Sequence, residues 1–381
     1  MEEIFTYFLT VILASTFFSF AIAFPIISLL YKFKITRRLD YDFTTVIEKV
    51  NLKVGVPIMG GLIVVITVIV INLIFNPDRE NKGTLLLIFM FGLSALLGGF
   101  DDVLNIYGRE RAKIRTLSRT VKLIKVHKSV RRRILLALTL PWEAYKRFFY
   151  MLGSNPGKGI QAHEKIIIQS IVGLSLGIGL FFYASRANPG EIVIPLFGWV
   201  IDLGFLIIPF AWLTVVLMTN AVNLADGMDG LAASMLLSSF SAFFIIALVK
   251  EDYRVAFLCA TVIGSLISYL YFNVPPARFQ MGDVGSLALG ALLAAVAFLL
   301  SESLLLLIVS LPFALILTST VIQGIGRRVL GRRIFRMAPL HYHFQMKNGW
   351  SEEKVVFRFA LFSIFCALLG LWVFFFQHFA I

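Results

Sequence analysis

The sequence predicts an all-α, polytopic membrane protein, and three observations carry that reading. Of 381 residues, 59 % are hydrophobic and 15 % charged, against about 45–50 % and about 25 % in an average soluble domain. Mean hydropathy is +0.86. Apolar runs of about 20 residues, long enough to cross a hydrocarbon core, recur along the whole chain. So few charges cannot solvate the surface of a soluble protein this apolar. A soluble enzyme, a disordered chain and an anchored DNA-binding domain are thereby excluded. The net charge of +13 reads as a membrane-topology signal, and no nucleic-acid partner is expected.

The elements follow in order. Residues 4–31 contain no Asp, Glu, Lys or Arg. This run is too long for a signal-peptide core, and Glu2 and Glu3 replace the basic segment that would precede one. It reads as a retained first span. Further spans are expected at 56–75, 84–100, 165–185, 199–219, 230–249, 254–273, 284–300, 302–325 and 355–379, which makes ten in a single domain covering 1–381. Alternate loops share a side. Those at 32–55, 101–164, 220–229, 274–283 and 326–354 hold 28 of the 35 Lys and Arg residues. Positive loops stay inside, so these face the cytoplasm and both termini lie outside. Cys259 and Cys366 sit in apolar runs and read as packing residues, too few for a disulfide or metal framework.

An extended basic loop, 103–163, interrupts the pattern. Within it, Arg109 to Arg133 contribute eleven basic residues, and Ile114, Leu117, Val121 and Ile124 recur at helical spacing. Pro141 breaks that pattern, followed by Trp142, Tyr145, Phe148 and Phe149. A basic amphipathic helix on the anionic inner leaflet is one reading. A docking surface for a partner is the other.

The acidic residues carry the chemistry. Asp101 and Asp102 close the third span. Asn223, Asp226 and Asp229 are spaced i, i+3, i+6 between the fifth and sixth, which puts them on one face of a helical turn. Asp283 opens the eighth. All three groups fall on the expected cytoplasmic side. Adjacent like charges repel, and a hard divalent cation gives a reason to keep them. Mg²⁺ takes one or two carboxylates together with phosphate oxygens and water. Helix capping by Asp226 or Asp283 is the competing explanation for either residue alone. Lys53 offers a cation for phosphate. His341 and His343 lie in the last cytoplasmic loop, where phosphate contact or proton handling suits them better than zinc, for which no further ligand is near. Carboxylates, lysine and histidine at one membrane surface suit phosphoryl transfer to or from a lipid.

These motifs resemble the polyprenyl-phosphate N-acetylhexosamine-1-phosphate transferases. The residues that carry the resemblance are Gly98 to Asp102, Asn220 to Ala232, Phe272-Asn273, Met281 to Gly290 and Ala338 to Phe344. Gly349-Trp350-Ser351-Glu352 and Pro339-Leu340-His341 favour the muramoyl branch. The resemblance implies transfer of phospho-MurNAc-pentapeptide from UDP-MurNAc-pentapeptide to undecaprenyl phosphate, giving lipid I and UMP in peptidoglycan biosynthesis, with Mg²⁺ as cofactor. It further implies Asp101, Asp102, Asp283 and His341 as catalytic residues, and Asp283 with Asp226 as metal ligands. Lys53, Lys165, Asn223, Asp226, Asp229, Asn273 and His343 would bind substrate, and a homodimer is compatible with it. Direct attack by the lipid phosphate and a covalent aspartyl intermediate both stay open. The alternatives are a sister enzyme moving GlcNAc-1-phosphate and a lipid-linked sugar transporter, which would carry charges near mid-span. The chain departs from the family pattern in His341-Tyr342-His343, in Asn105, in Val56 and Ile58, and in Gln280, beside which Phe279 is the nearest ring to stack on a base.

Overall fold

The computed structural model describes residues 2–36, 55–107, 117–127, 129–152, 161–184 and 191–379. Lys53 lies outside the described residues. Within them the chain is a mostly helical, polytopic membrane protein. The helices are α1 (Glu2–Lys32), α2 (Leu62–Phe75), α3 (Lys82–Tyr107), α4 (Leu117–Val126), α5 (Val130–Leu138), α6 (Leu140–Leu152), α7 (Ala162–Gly179) and α8 (Ile207–Ala225). They continue as α9 (Leu231–Val249), α10 (Tyr253–Asn273), α11 (Gly282–Leu299), α12 (Leu305–Val309), α13 (Leu311–Arg328), α14 (Leu340–Asn348) and α15 (Glu352–Phe379). Eight of these, α1, α3, α7 to α11 and α15, are long and apolar enough to cross a membrane.

Two of the ten expected spans are therefore not single long helices, and each has a backbone cause. The run at 56–75 is helical only from Leu62, for 14 residues. Its first residues go instead into a loop ladder. Gln280 N–H donates to the Pro57 carbonyl at 2.9 Å, Gly60 N–H to Gln280 O at 2.8 Å and Gly61 N–H to Met281 O at 2.9 Å. The run at 302–325 breaks at Ser310 into α12 and α13. Pro312 sits in the first turn of α13, where its missing N–H and its ring end the preceding helix. The run at 199–219 starts later than expected, because 191–202 forms the antiparallel hairpin β1 (Glu191–Val193) and β2 (Val200–Asp202), with Ile192 opposite Ile201. This hairpin is a small exception to the all-α expectation. The basic loop holds three helices, α4 to α6, and Pro141 sits in the first turn of α6, a position proline tolerates.

Helix α11 lies at the centre. Every residue from Val284 to Phe298 is buried, and the helix packs against α3 on one flank and α8 on another. Small side chains allow this close approach. A Cβ at Gly98 of α3 would collide with the Asp283 carbonyl, and one at Gly290 would meet Met218 O at 2.8 Å. The N-terminus of α11 is thus pressed against the C-terminal part of α3, which carries Gly98, Asp101 and Asp102. Cys259 and Cys366 are both buried free thiols.

Candidate active site

The site is built around the first turn of α11. A helix start leaves backbone N–H groups without partners, and here a neighbouring helix supplies the acceptor. Asp102 accepts from Asp283 N–H at 3.1 Å and from Val284 N–H at 3.0 Å. Gly282, just before, has φ +73°, and a side chain there would meet the Asp102 carboxylate at 2.7 Å. The Asp226 carboxylate, just past the end of α8, accepts from Gly282 N–H at 3.0 Å. Asp102 and Asp226 therefore grip the same turn from two sides.

Asp283 points from that turn into a cage. Asn223 Nδ2 donates to its Oδ1 at 2.6 Å and to Ser286 Oγ at 2.9 Å. Lys165 Nζ lies 2.5 Å from Asp283 Oδ2 and 2.6 Å from Asp101 Oδ2. Lys165 belongs to α7, so one ammonium ties α3, α7 and α11 together. Its helix is held in turn by α8, since Asn220 Nδ2 donates to Gln169 Oε1 at 2.6 Å. Asp101 and Asp102 form a buried floor, at 1 % and 4 % exposure. Asn223, Asp226, Asp283 and Lys165 are half-buried and form the rim.

The loop after α8 does not continue as a helix. Asp226 caps α8 and Gly230 takes φ +81°, so Asn223, Asp226 and Asp229 do not share one helical face. Asp229 turns instead toward the following loop, where its Oδ2 accepts from Ala277 N–H at 3.3 Å. Asn273 Oδ1 accepts from Gly230 N–H at 2.8 Å, and its Nδ2 donates to Phe279 O at 2.7 Å. Both residues join the 226–230 turn to the 274–281 loop. Phe279 is fully buried between Tyr269 and Phe272, so its ring belongs to the core and is not offered to a base.

The two histidines separate. They lie on α14, where residues two apart point about 200° apart. His341 is fully buried against the 226–230 turn, and a Cβ on Gly227 would meet its Nε2 at 3.1 Å. The neighbouring Tyr342 hydroxyl donates to Gly227 O at 2.8 Å. His343 faces the other way. Its Nδ1 accepts from Arg336 N–H at 3.0 Å and its ring meets Phe335 edge-on. Burial and the nearby Lys347 and Arg336 charges hold its pKa below the ordinary value.

Sequence reasoning gave no role to Tyr342, Ser286 or Gln169. Glu352 entered it only as part of a motif, yet its carboxylate accepts from Asp229 N–H at 2.9 Å. Only their neighbours in space reveal these parts. Among the described residues, no group of three His, Cys, Asp or Glu side chains is arranged to hold a metal ion alone. Mg²⁺ does not require one, because phosphate and water complete its shell. The hard carboxylate oxygens of Asp283 and Asp226, on successive sides of Gly282, suit that role chemically.

Asp101, Asp102, Asp226 and Asp283 thus gather around one ammonium, Lys165, at the first turn of α11. Residues 157–301 match the glycosyl transferase family 4. The chain is 32 % identical over 325 residues to the phospho-N-acetylmuramoyl-pentapeptide-transferase of Enterococcus hirae, covering 84 % of this chain and 85 % of that one. It is 30 % identical over 347 residues to the protein of the same name from Clostridium novyi (strain NT), covering 91 % and 90 %. The chain belongs to the phospho-N-acetylmuramoyl-pentapeptide-transferase family.

Proposed function

We propose that the chain transfers phospho-MurNAc-pentapeptide from UDP-MurNAc-pentapeptide to undecaprenyl phosphate, producing lipid I and UMP for peptidoglycan biosynthesis. Its relatives of that name, matched over most of their length, support the reading. The observation that carries it here is the Asp101–Lys165–Asp283 bridge beside Asp226 and Asn223. By the direct route, a lipid phosphate oxygen would attack the sugar-bearing phosphorus, the bond from that phosphorus to the UMP oxygen would break, and UMP would leave. A phosphate monoester has its second pKa near ~6 and is largely dianionic at neutral pH. The attack then needs no strong base, and in-line positioning supplies much of the acceleration.

Asp283 and Asp226 would hold Mg²⁺, which when bound supplies positive charge to the diphosphate oxygens. Lys165 fixes the orientation of Asp101 and Asp283 before substrate arrives. Asn223 holds the second Asp283 oxygen, and Asp102 keeps the first turn of α11 in register with α3. His341, packed on the 226–230 turn, places that turn against α14. Lys53 would contact the donor diphosphate, and Asp229, Asn273 and His343 would shape the nucleotide side through the loops they hold. The Lys and Arg distribution supports ten crossings, with both termini outside and the site facing the cytoplasm of a bacterial inner membrane. The two crossings beyond the eight long helices would be α2 and the α12–α13 pair.

The test is UMP release by detergent-purified protein with undecaprenyl phosphate. UDP-MurNAc-pentapeptide and UDP-GlcNAc are compared, each with Mg²⁺ and with EDTA. Mg²⁺-dependent release from the muramoyl donor alone is expected. Release from UDP-GlcNAc instead would move the chain to the sister reaction, and EDTA-resistant release would remove the metal.

A further inference from the structure

The helices of the basic loop pack on one another, and α6 packs on both α7 and α13. Their outer faces carry an unusual mixture. Helix α5 buries no residue at all. Val130, Ile134 and Leu138 repeat every four residues along it and are 66 %, 56 % and 71 % exposed, beside Arg131, Arg132 and Arg133. Val126 at the end of α4 is 78 % exposed, next to Lys125. Left in water, this apolar stripe is unfavourable. Between α4 and α5 opens a cleft of about 380 Å³, lined by Leu123, His127, Arg132, Leu135, Leu136 and Thr139. Leucines form its apolar wall, while a guanidinium and an imidazole offer donors to an anion.

The basic loop also reaches the candidate site. On α6, the Tyr145 hydroxyl donates to the His163 carbonyl at 3.0 Å, and Trp142 meets the His163 ring edge-on at 5.3 Å. His163 is buried in the first turn of α7, two residues before Lys165. A displacement of α6 therefore acts directly on the turn that aims the Lys165 ammonium at Asp101 and Asp283.

We propose that helices α4 to α6 dock on anionic phospholipid, with a headgroup phosphate against Arg132 and acyl chain along the leucine wall, and that this docking sets Lys165 through the Trp142–Tyr145–His163 contact. Charge complementarity commits the surface to lipid. Clustered basic residues are drawn to an anionic leaflet, and the exposed stripe between them has the amphipathic character of an interfacial helix. An acidic protein partner would satisfy the arginines and leave Val126, Val130 and Leu138 without an apolar medium. The docking half stands on geometry alone; the control of Lys165 rests on the proposed activity.

The experiment places a spin label at Leu138→Cys in nanodiscs of phosphatidylcholine with and without phosphatidylglycerol. The native thiols are 0 % and 1 % exposed, which makes the label selective. Phosphatidylglycerol should raise the oxygen accessibility of the label, lower its contact with a water-soluble nickel reagent, and raise kcat about fivefold or more, in the usual range of coupling between sites. In R131Q/R132Q/R133Q the label should stay in water and the activation vanish, with turnover in phosphatidylcholine unchanged. In W142A the label should still enter lipid while kcat no longer responds. A label that stays in water in both lipids overturns the docking and leaves the surface to a protein partner. Insertion without any change in kcat overturns the control of Lys165. Insertion by a chain that turns over no donor in any lipid supports docking and sinks the proposed activity instead.

Discussion

Helix α11 has a lysine–carboxylate contact at each end, and the two differ in how many carboxyl groups meet one ammonium. At the C-terminal end, Lys250 Nζ lies 2.6 Å from Glu302 Oε1 and donates to Leu300 O at 2.6 Å, while Gln377 Nε2 donates to Glu302 Oε2 at 3.2 Å. One ammonium meets one carboxylate, and neutral groups occupy the remaining positions. At the N-terminal end one ammonium, Lys165, meets Asp101 and Asp283, with Asp102 and Asp226 on the same turn. The first arrangement is complete as it stands and staples α15 to the loop after α11. The second gathers four carboxyl groups around one ammonium beside a half-buried rim. Such an arrangement is costly in a folded protein and persists where a ligand of opposite charge completes it.

Substitutions at both ends sharpen or break this contrast, in falling order of effect. Asp283→Asn should lower UMP release by about 10²–10³-fold, the scale of losing one preorganised electrostatic group, while the melting temperature in detergent stays near wild type. Near-normal turnover at saturating Mg²⁺ would remove Asp283 from the reaction. Lys250→Met is the counterpart at the other end. Removing one partner of a buried pair costs about 3–5 kcal/mol, so the melt should fall sharply while turnover per folded molecule holds. Lys250→Met with Glu302→Gln should recover much of that loss. If turnover falls with stability intact, the C-terminal pair is not a staple. Asn273→Ala strips partners from the Gly230 N–H and the Phe279 carbonyl, a cost of about 1–3 kcal/mol, measurable by thermal unfolding and by donor KM. His343→Ala should change turnover least, within about twofold, since its half-buried ring contacts Phe335 and the Arg336 N–H and not the 226–230 turn; His341→Ala should do visibly more in the same assay.

Legibility in the sequence followed the range of the interactions. Helices α9, α10 and α11 lie within two residues of their expected bounds, because an apolar run and its polar ends are local signals. Asp101, Asp102, Asn223, Asp226 and Asp283 stood out as acids and amides flanking such runs. Lys165 was legible only through the family resemblance, since a single lysine at a span end reads as a topology signal. Its partner Asp283 lies 118 positions away. The shared helical face expected for Asn223, Asp226 and Asp229 does not form because the chain leaves the helix after Ala225, and no local pattern distinguishes one more turn of helix from a Gly-rich loop.

Sequence alone determined that the chain spans a membrane, which segments are apolar, and which acids are grouped at their ends. Those facts are set by transfer of residues between water and hydrocarbon, which each stretch undergoes nearly independently. Tertiary structure decided the rest: that Asp102 grips α11 across 182 positions, that a lysine of α7 joins two carboxylates from different helices, that His341 turns inward and His343 outward, and that α6 rests on the turn before Lys165. Each of these depends on the distance and direction between side chains from separate elements, fixed only when close packing at residues such as Gly98 brings the helices together.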